Sequence, residues 1–209
     1  VLDSDGVDEL ITRAPAANRM IFTVHGLEAH AGVCPENGIS AIKVAAEAIA
    51  AMTLGRVDAE TTANIGIIQG GTANNIVPKQ VVVRGEARSR SIEKLGAQTE
   101  HMRHCFGEAA RRHRVTLNGK EIQARVEERI ERDYDLMDLP EDSRIVRLVT
   151  EAANSLGRPL TTRPTGGGCD ANVLNGKGLQ VANLGCGMRE IHTVNEWLNL
   201  RDLIRTAEL

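Results

Sequence analysis

The alternation of hydrophobic and polar residues changes its period several times along the first 134 positions. A period of two predicts four β-strands, at 19–24, 62–71, 80–89 and 120–130. A period of three to four predicts two helices, at 39–53 and 91–109, with Ser91 as the N-cap of the second. The resulting order, β-α-β-β-α-β, is typical of a ferredoxin-like fold, in which two helices cover one face of a four-stranded antiparallel sheet.

The same periods predict which side chains face the core. In the first helix we expect an apolar face that consists of Ile39, Ile42, Ala46, Ile49 and Met52. In the strand at 80–89 the core positions are Val81, Val83, Gly85 and Ala87. Arg88 therefore falls on the opposite, polar face of that strand.

The remaining residues have the pattern of part of an α/β domain. After residue 135 we expect a helix whose apolar positions are Ile145, Leu148, Ala152 and Leu156. A Pro- and Gly-rich stretch, a strand at "LQVANLG" and the tail "HTVNEWLNLRDLIRTAEL", which contains the last helix, follow. Residues 1–16 are expected to join residues 135–209 in this domain, so that the unit at 17–134 is inserted in it.

Composition excludes several classes of protein. The 209 residues are 42% apolar, which is enough for real cores, and carry a formal charge of -3 with both signs interspersed. A nucleic-acid or membrane-surface protein would show a basic stripe, so we expect neither partner. No apolar run approaches the roughly 18 residues of a membrane helix, and the four cysteines form no C-x-x-C pair. We therefore expect a soluble, cytoplasmic protein with reduced thiols.

Some polar residues lie at places where chemistry is common. His25 and His30 are five positions apart. At this spacing their side chains share a face in neither a strand nor a helix, so they do not form a local metal chelate. His30 follows a strand, Asn75 lies in the bend "GGTANNIVP", and His192 follows the strand near the end of the chain. From the residues alone, each also fits an ordinary role: a turn histidine, an asparagine that bonds its own turn, or a solvated cation in the case of Arg88.

The glycine-rich stretch "TGGGCDAN", which contains Gly167, is not a nucleotide-binding loop. It lacks the G-x-x-x-x-G-K-[ST] register, and "GCGMRE" does not give G-x-G-x-x-G. Three glycines allow a ligand to approach the backbone closely, although a plain flexible loop fits equally well. Asp3 and His192 are zinc-ligand types, but neither has a second ligand nearby in the sequence, so spacing alone predicts no complete metal site.

Six stretches in this order resemble one family. They are "LDSDG", "HGLEAHAGVCPENGISAI", "GIIQGGTANNIVP", "GEARSRS", "TGGGCDANVLNGKG" and "GMREIHTVNEWL". Together they resemble the later half of the co-catalytic zinc exopeptidases, which include peptidase T, acetylornithine deacetylase and glutamate carboxypeptidase, and they are most similar to the peptidase T-like branch. The resemblance implies a lid or dimerisation domain at 17–134, with catalytic-domain segments at 1–16 and 135–209. It also implies that the chain, which does not begin with Met, is a piece of a longer protein.

The resemblance implies a role for each candidate residue. His30 would enter the active site of the other subunit of a homodimer and stabilise the oxyanion, as a protonated donor. Asn75 and Arg88 would bind substrate, with Arg88 on a substrate carboxylate, and the loop around Gly167 would line the cleft. The resemblance also implies two zinc ions, for which cobalt or manganese could substitute. Asp3 would bind one of them, or Asp5 if the motif register is shifted, and His192 would bind the other.

The implied activity is metal-dependent hydrolysis of short peptides. The general base and most metal ligands belong to the family's first half, so we expect the 209-residue chain itself to be inactive. Two other interpretations stay open. A related enzyme would be an amidohydrolase that deacylates N-acyl amino acids, and a non-enzymatic chain would be a dimerisation module that pairs through an exposed edge strand and the helix at 39–53.

Overall fold

The computed structural model describes all 209 residues, and the chain folds as two compact units. One unit consists of Ala17–Asp133, and the other of Val1–Ala16 with Tyr134–Leu209. In chain order the elements are β1 (Val7–Ala14), β2 (Ala16–His25), a 3-10 turn (Pro35–Asn37), α1 (Ala41–Ala50), β3 (Gly55–Arg56), β4 (Thr61–Gly70), β5 (Gln80–Ser89), α2 (Ile92–Arg112), β6 (Arg114–Leu117), β7 (Lys120–Gln123), β8 (Arg125–Tyr134), β9 (Met137–Asp138), α3 (Arg144–Ser155), β10 (Thr161–Pro164), α4 (Asp170–Gly176), β11 (Asn183–Cys186), β12 (Met188–Arg189), β13 (Trp197–Leu198) and α5 (Leu200–Ala207). The helices fall short of the length and hydrophobicity that crossing a membrane requires.

The Ala17–Asp133 unit is built on a five-stranded sheet in the order β3-β4-β5-β2-β8. Helices α1 and α2 pack against each other and against β5, and the core between helices and sheet is fully buried. At its centre the Phe22 and Phe106 rings stack with their centroids 4.2 Å apart. These two rings are all the phenylalanine in the chain, so the rest of the core consists of small aliphatic and Met side chains.

The sequence predictions for this unit are largely confirmed. The β-α-β-β-α-β order is present, and β5 alternates between buried and accessible residues as expected. Ser91 caps α2 as predicted, and Ser40 caps α1 in the same way: each hydroxyl accepts a hydrogen bond from the backbone N–H three residues later.

The predicted fourth strand at 120–130 is wrong in its extent. Asn118 and Gly119 both have positive φ and close a tight hairpin, so β7 pairs with β6 and not with the large sheet. The strand is interrupted at the buried Ala124, whose N–H donates to the His113 carbonyl. Strand β8 then supplies the fourth long strand of the large sheet. The two-residue strand β3 was not predicted.

The predicted apolar faces of two helices are also wrong in part. The buried face of α1 consists of Ala41, Val44, Ala45 and Ala48, whereas Ile42 is 44% exposed. Small side chains let α1 approach α2 and the sheet closely, so the larger isoleucine is left at the rim. On α3 the buried residues are Val146 and Ala153, and Leu148 is 59% exposed.

The second unit contains a small mixed sheet in the order β10-β1-β11, with β9 also paired to β1. Strand β1 is parallel to β10 and antiparallel to β11 and β9. The core lies around Leu10, Ile11 and Met137, and residues of α3 and α4 pack against it. A separate ribbon of β12 and β13 carries the turn that contains His192.

Candidate substrate and metal site

His30 lies on a tight loop just beyond the end of β2. Its carbonyl accepts hydrogen bonds from the backbone N–H groups of Val33, at 3.3 Å, and Cys34, at 3.1 Å. The imidazole is on the exposed surface, and its Nδ1 accepts a hydrogen bond from the Gly32 N–H at 3.1 Å. The loop therefore holds an accessible imidazole in a defined orientation.

The structure brings Asn75 next to His30. Ala31 N–H donates to the Asn75 carbonyl at 2.9 Å, Val77 N–H donates to the Ala29 carbonyl at 2.9 Å, and His30 forms an antiparallel bridge with Ile76. The β2–α1 loop and the β4–β5 loop are thus joined like two short strands. A groove of about 390 Å³ beside them is lined in part by the exposed Ile42 and Ile76.

Arg88 lies at the opposite end of the same sheet. Gly26 N–H bonds to the Lys79 carbonyl, which fixes the start of β5 beside the end of β2 and near the His30 loop. Arg88 is eight residues further along β5, a distance of about 26 Å at 3.3 Å per residue. The structure therefore does not bring Arg88 together with His30 and Asn75.

The Arg88 guanidinium is already paired with a carboxylate of its own strand. Its Nη2 and Nε lie 3.0 and 2.9 Å from the two carboxylate oxygens of Glu86, and both side chains are about one-third accessible. The Nη2 contact is a hydrogen bond and the Nε contact is a close ion pair, so the Glu86 carboxylate already occupies this guanidinium. The sequence offered a signal for Glu86, because residues two apart on a strand share a face, but the pairing was not predicted.

Asp3 is held by a residue that sequence reasoning missed. The side chain of the buried Asn183 accepts from the Asp3 N–H at 3.0 Å and donates to the Asp3 carbonyl at 2.6 Å. Asn183 also donates to Cys169 Sγ at 3.5 Å, which joins Asp3 to the end of the glycine-rich loop. No sequence signal points to this clamp, because Asp3 and Asn183 are separated by 180 positions.

The two aspartates near the start of the chain differ in availability. The Asp5 carboxylate accepts hydrogen bonds from Ser4 and from Arg163. Burial acts to raise the pKa of Asp5, but these bonds and the Arg163 charge outweigh it and lower the pKa below its usual range. The Asp3 carboxylate makes no ion pair, so it is the better placed of the two to bind a ligand.

Cys169 is not suited to be a nucleophile. Burial raises the pKa of its thiol, the Asp3 and Asp170 charges raise it further, and hydrogen bonds from the Ala171 and Asn172 N–H groups offset only part of this effect. The thiol therefore stays protonated at neutral pH, where only a thiolate would attack.

The glycines of the loop are needed for different reasons. A Cβ on Gly168 would come within 2.3 Å of the Tyr134 ring, so packing alone requires glycine there. A Cβ on Gly166 or Gly167 would meet nothing within 4 Å. Open space beside the Gly167 backbone is compatible with a ligand at that position.

His192 lies in the turn between β12 and β13 with φ of 64°, an uncommon value for a residue with a side chain. Its N–H donates to the Glu196 carboxylate at 2.7 Å, and the imidazole itself is exposed. Asp3 and His192 have the right donor chemistry for zinc. However, no group of three His, Cys, Asp or Glu side chains that could hold a metal ion occurs in the chain, so these residues do not form a complete zinc site by themselves.

Comparison with known proteins identifies relatives of the whole chain. Residues 16–114 match the family model of the M20 peptidase dimerisation domain. An uncharacterised Bacillus subtilis protein, YqjE, is 43% identical over all 209 residues, and this chain covers 54% of its length.

Two solved structures have the same fold along nearly the whole chain. The aminopeptidase PepT of Bacillus cereus is 41% identical with a TM-score of 0.84, and a Staphylococcus aureus tripeptidase is 34% identical with a TM-score of 0.87. The matches cover 99% of this chain but only 53% and 52% of those proteins. The chain thus spans about half the length of the relatives it matches.

Proposed function

Because residues 16–114 are an M20 peptidase dimerisation domain, we propose that this chain is the lid and later catalytic segment of a metal-dependent enzyme that hydrolyses short peptides. In this proposal Ala17–Asp133 is the lid, and Val1–Ala16 with Tyr134–Leu209 is part of the catalytic domain. The similarity to PepT and to the Staphylococcus aureus tripeptidase supports a peptide substrate of about three residues.

The separation of His30 from Arg88 carries the proposal. An extended tripeptide spans about 10 Å, which is far less than the roughly 26 Å between the two ends of β5. One substrate therefore cannot contact both side chains of the same lid. In a two-fold dimer, His30 of one subunit and Arg88 of the other can meet the same peptide, so we assign His30 to the active site of the partner subunit.

Each side chain then has a distinct task. The His30 imidazole donates a hydrogen bond to the oxygen of the scissile carbonyl, whose negative charge grows in the transition state, and such a donor contributes about 3–4 kcal/mol. The Asn75 amide, which is on the adjacent loop, orients the same end of the substrate. Arg88 releases Glu86 and binds the substrate carboxylate with two parallel hydrogen bonds.

We assign Asp3 and His192 to one zinc ion each, in a site that further ligands must complete. Bound zinc, or cobalt or manganese in its place, would supply a hydroxide at neutral pH and polarise the carbonyl. One ligand for each metal ion is too few for tight binding, so the 209-residue chain alone should be inactive. Metal-dependent peptide cleavage by the purified chain would contradict this assignment.

A deacylase of N-acyl amino acids is the alternative function on the same fold. Full-length protein that contains this chain, loaded with zinc, should be tested on tripeptides, on tripeptide amides and on N-acyl amino acids. We expect the highest kcat/KM for tripeptides with a free carboxylate and a lower kcat/KM for the tripeptide amides. This difference between acid and amide should disappear in the Arg88→Met variant. Higher kcat/KM for N-acyl amino acids would contradict the peptidase assignment.

We also propose that the lid forms the homodimer through the edge strand β4. Strand β3 pairs only with Thr62 and Ala63, so the outer edge of β4 beyond these residues is open. Ile68 at this edge is 51% exposed, and Ile42 on the neighbouring helix α1 is 44% exposed. We expect a dimer mass for the 209-residue chain in sedimentation equilibrium and a monomer for Ile68→Lys. A monomeric wild-type chain at high concentration would contradict this interface.

A further inference from the structure

The hydrogen bond between Gly32 and His30 determines which ring nitrogen carries the proton. A backbone N–H can only donate, so the Nδ1 atom that lies 3.1 Å from the Gly32 nitrogen must accept. An accepting Nδ1 has no hydrogen, and the single proton of a neutral imidazole is then on Nε2. The loop thus selects one of the two neutral tautomers.

The donor is itself fixed by the surrounding backbone. The two hydrogen bonds to the His30 carbonyl and the one from Ala31 to Asn75 hold the loop on both sides of Gly32. No carboxylate pairs with the imidazole, and the nearby Glu28 is 3.0 Å from the Lys79 ammonium instead. The structure therefore contains a partner for the neutral ring and none that would stabilise the imidazolium.

We propose that Gly32 is a positioning residue that keeps His30 as the neutral Nε2–H tautomer, so that His30 donates to the substrate oxygen through Nε2–H without a positive charge. This inference rests on the proposed function for its catalytic part, and it replaces the protonated His30 that the resemblance implied. A neutral donor avoids the desolvation cost that an imidazolium would incur in a closed active site. A ring with its proton on Nε2 also cannot accept a proton there, so His30 is not the general base.

The tautomer can be measured on the 209-residue chain. In long-range ¹H–¹⁵N NMR spectra at pH 8, protonated and unprotonated ring nitrogens have well-separated ¹⁵N shifts. The chain contains six histidines, and the His30→Gln variant identifies the His30 signals by their loss. We expect an unprotonated Nδ1 and a protonated Nε2. A proton on Nδ1, or an even mixture of both tautomers, would overturn the inference.

Gly32 provides a matched pair of variants for the same measurement. A Cβ at this position would lie 3.7 Å from the His30 ring, an ordinary contact, so Gly32→Ala keeps the N–H donor and fits. Gly32→Pro removes the donor. We expect the fixed tautomer in Gly32→Ala and a mixture in Gly32→Pro. If Gly32→Pro does not fold, the wild-type and Gly32→Ala spectra still decide the question.

Kinetics of the full-length protein tests the catalytic part. The side-chain NH₂ of glutamine can occupy the position of Nε2, whereas that of asparagine is nearer to the position of Nδ1. We expect His30→Gln to retain at least ten-fold more kcat than His30→Asn, with His30→Asn close to His30→Ala. Equal or reversed rates would overturn the inference. Wild-type activity in His30→Ala would instead contradict the proposed function, while the NMR result on the tautomer would still stand.

Discussion

The buried side-chain amide of Asn172 bonds to both points where the chain leaves and re-enters the unit of Val1–Ala16 with Tyr134–Leu209. Its Nδ2 donates to the Pro15 carbonyl at 3.0 Å and to the Asp135 carbonyl at 2.8 Å, and its Oδ1 accepts from the Cys169 N–H at 3.0 Å. Asn172 itself has no exposed surface. Asn172→Ala would leave two carbonyl groups and one N–H group without their partner.

The expected loss in the free energy of unfolding follows from these three bonds. The Pro15 bond is buried, and leaving that carbonyl unpaired costs about 1–3 kcal/mol. The other two bonds are partly buried, so water can compensate in part, at about 0.5–1 kcal/mol each. The sum is about 2–5 kcal/mol, which is a large fraction of the stability of an ordinary domain.

Guanidinium unfolding of the 209-residue chain measures this loss. The single tryptophan, Trp197, belongs to the same unit as Asn172, so its fluorescence reports that unit while far-UV circular dichroism reports both. Asn154→Ala on the exposed side of α3 is the matched control and should change stability by less than about 0.5 kcal/mol. A loss below 1 kcal/mol in Asn172→Ala would show that the three bonds do not hold this junction.

Two further predictions concern the glycine-rich loop and the pH dependence of the Ala17–Asp133 unit. Gly168→Ala should lower the free energy of unfolding by about 1–3 kcal/mol, because its Cβ would overlap the Tyr134 ring. Gly167→Ala should leave the free energy of unfolding unchanged but lower the activity of the full-length protein. Equal stability of the two variants would contradict the packing argument. The pKa of Asp58 is lowered to about 2, first by a hydrogen bond from the Glu60 N–H and then by Lys94 and Thr61. Because the folded-state pKa is depressed, its stabilisation is full above the unfolded pKa near 4 and is lost as pH falls towards 2. The free energies of unfolding of wild type and Asp58→Asn, measured between about pH 2 and 7, should therefore converge at the acid end. A difference between the two that does not change with pH would refute this.

The sequence predicted well those features that depend on neighbours along the chain. The alternation in β5 and the Ser91 cap of α2 were predicted because strand pleating and capping act within a few residues. The Asn118-Gly119 turn after β6 closes a separate hairpin with β7, which the alternation at 120–130 did not reveal. Periodicity cannot tell which of two strands a neighbouring segment pairs with.

Features that depend on packing between distant segments were not predicted. The face of α1 with the larger isoleucines was expected inside, but the alanine face is buried because α1 packs closely against α2. For the candidate site, the motifs identified His30 and Asn75, whose proximity the structure now shows. The Asn183 clamp on Asp3 has no local sequence signal, and the wide separation of His30 and Arg88 emerges only when the strands are assembled.

The central claim is that His30 acts in the active site of the partner subunit, and it can be tested by subunit complementation. Full-length His30→Ala and Asp3→Ala proteins carry different affinity tags, are coexpressed, and heterodimers are isolated by two successive affinity steps. Both homodimers should be inactive, whereas each heterodimer should contain one working site and show about half of wild-type activity per dimer. A heterodimer no more active than either parent homodimer would contradict the claim.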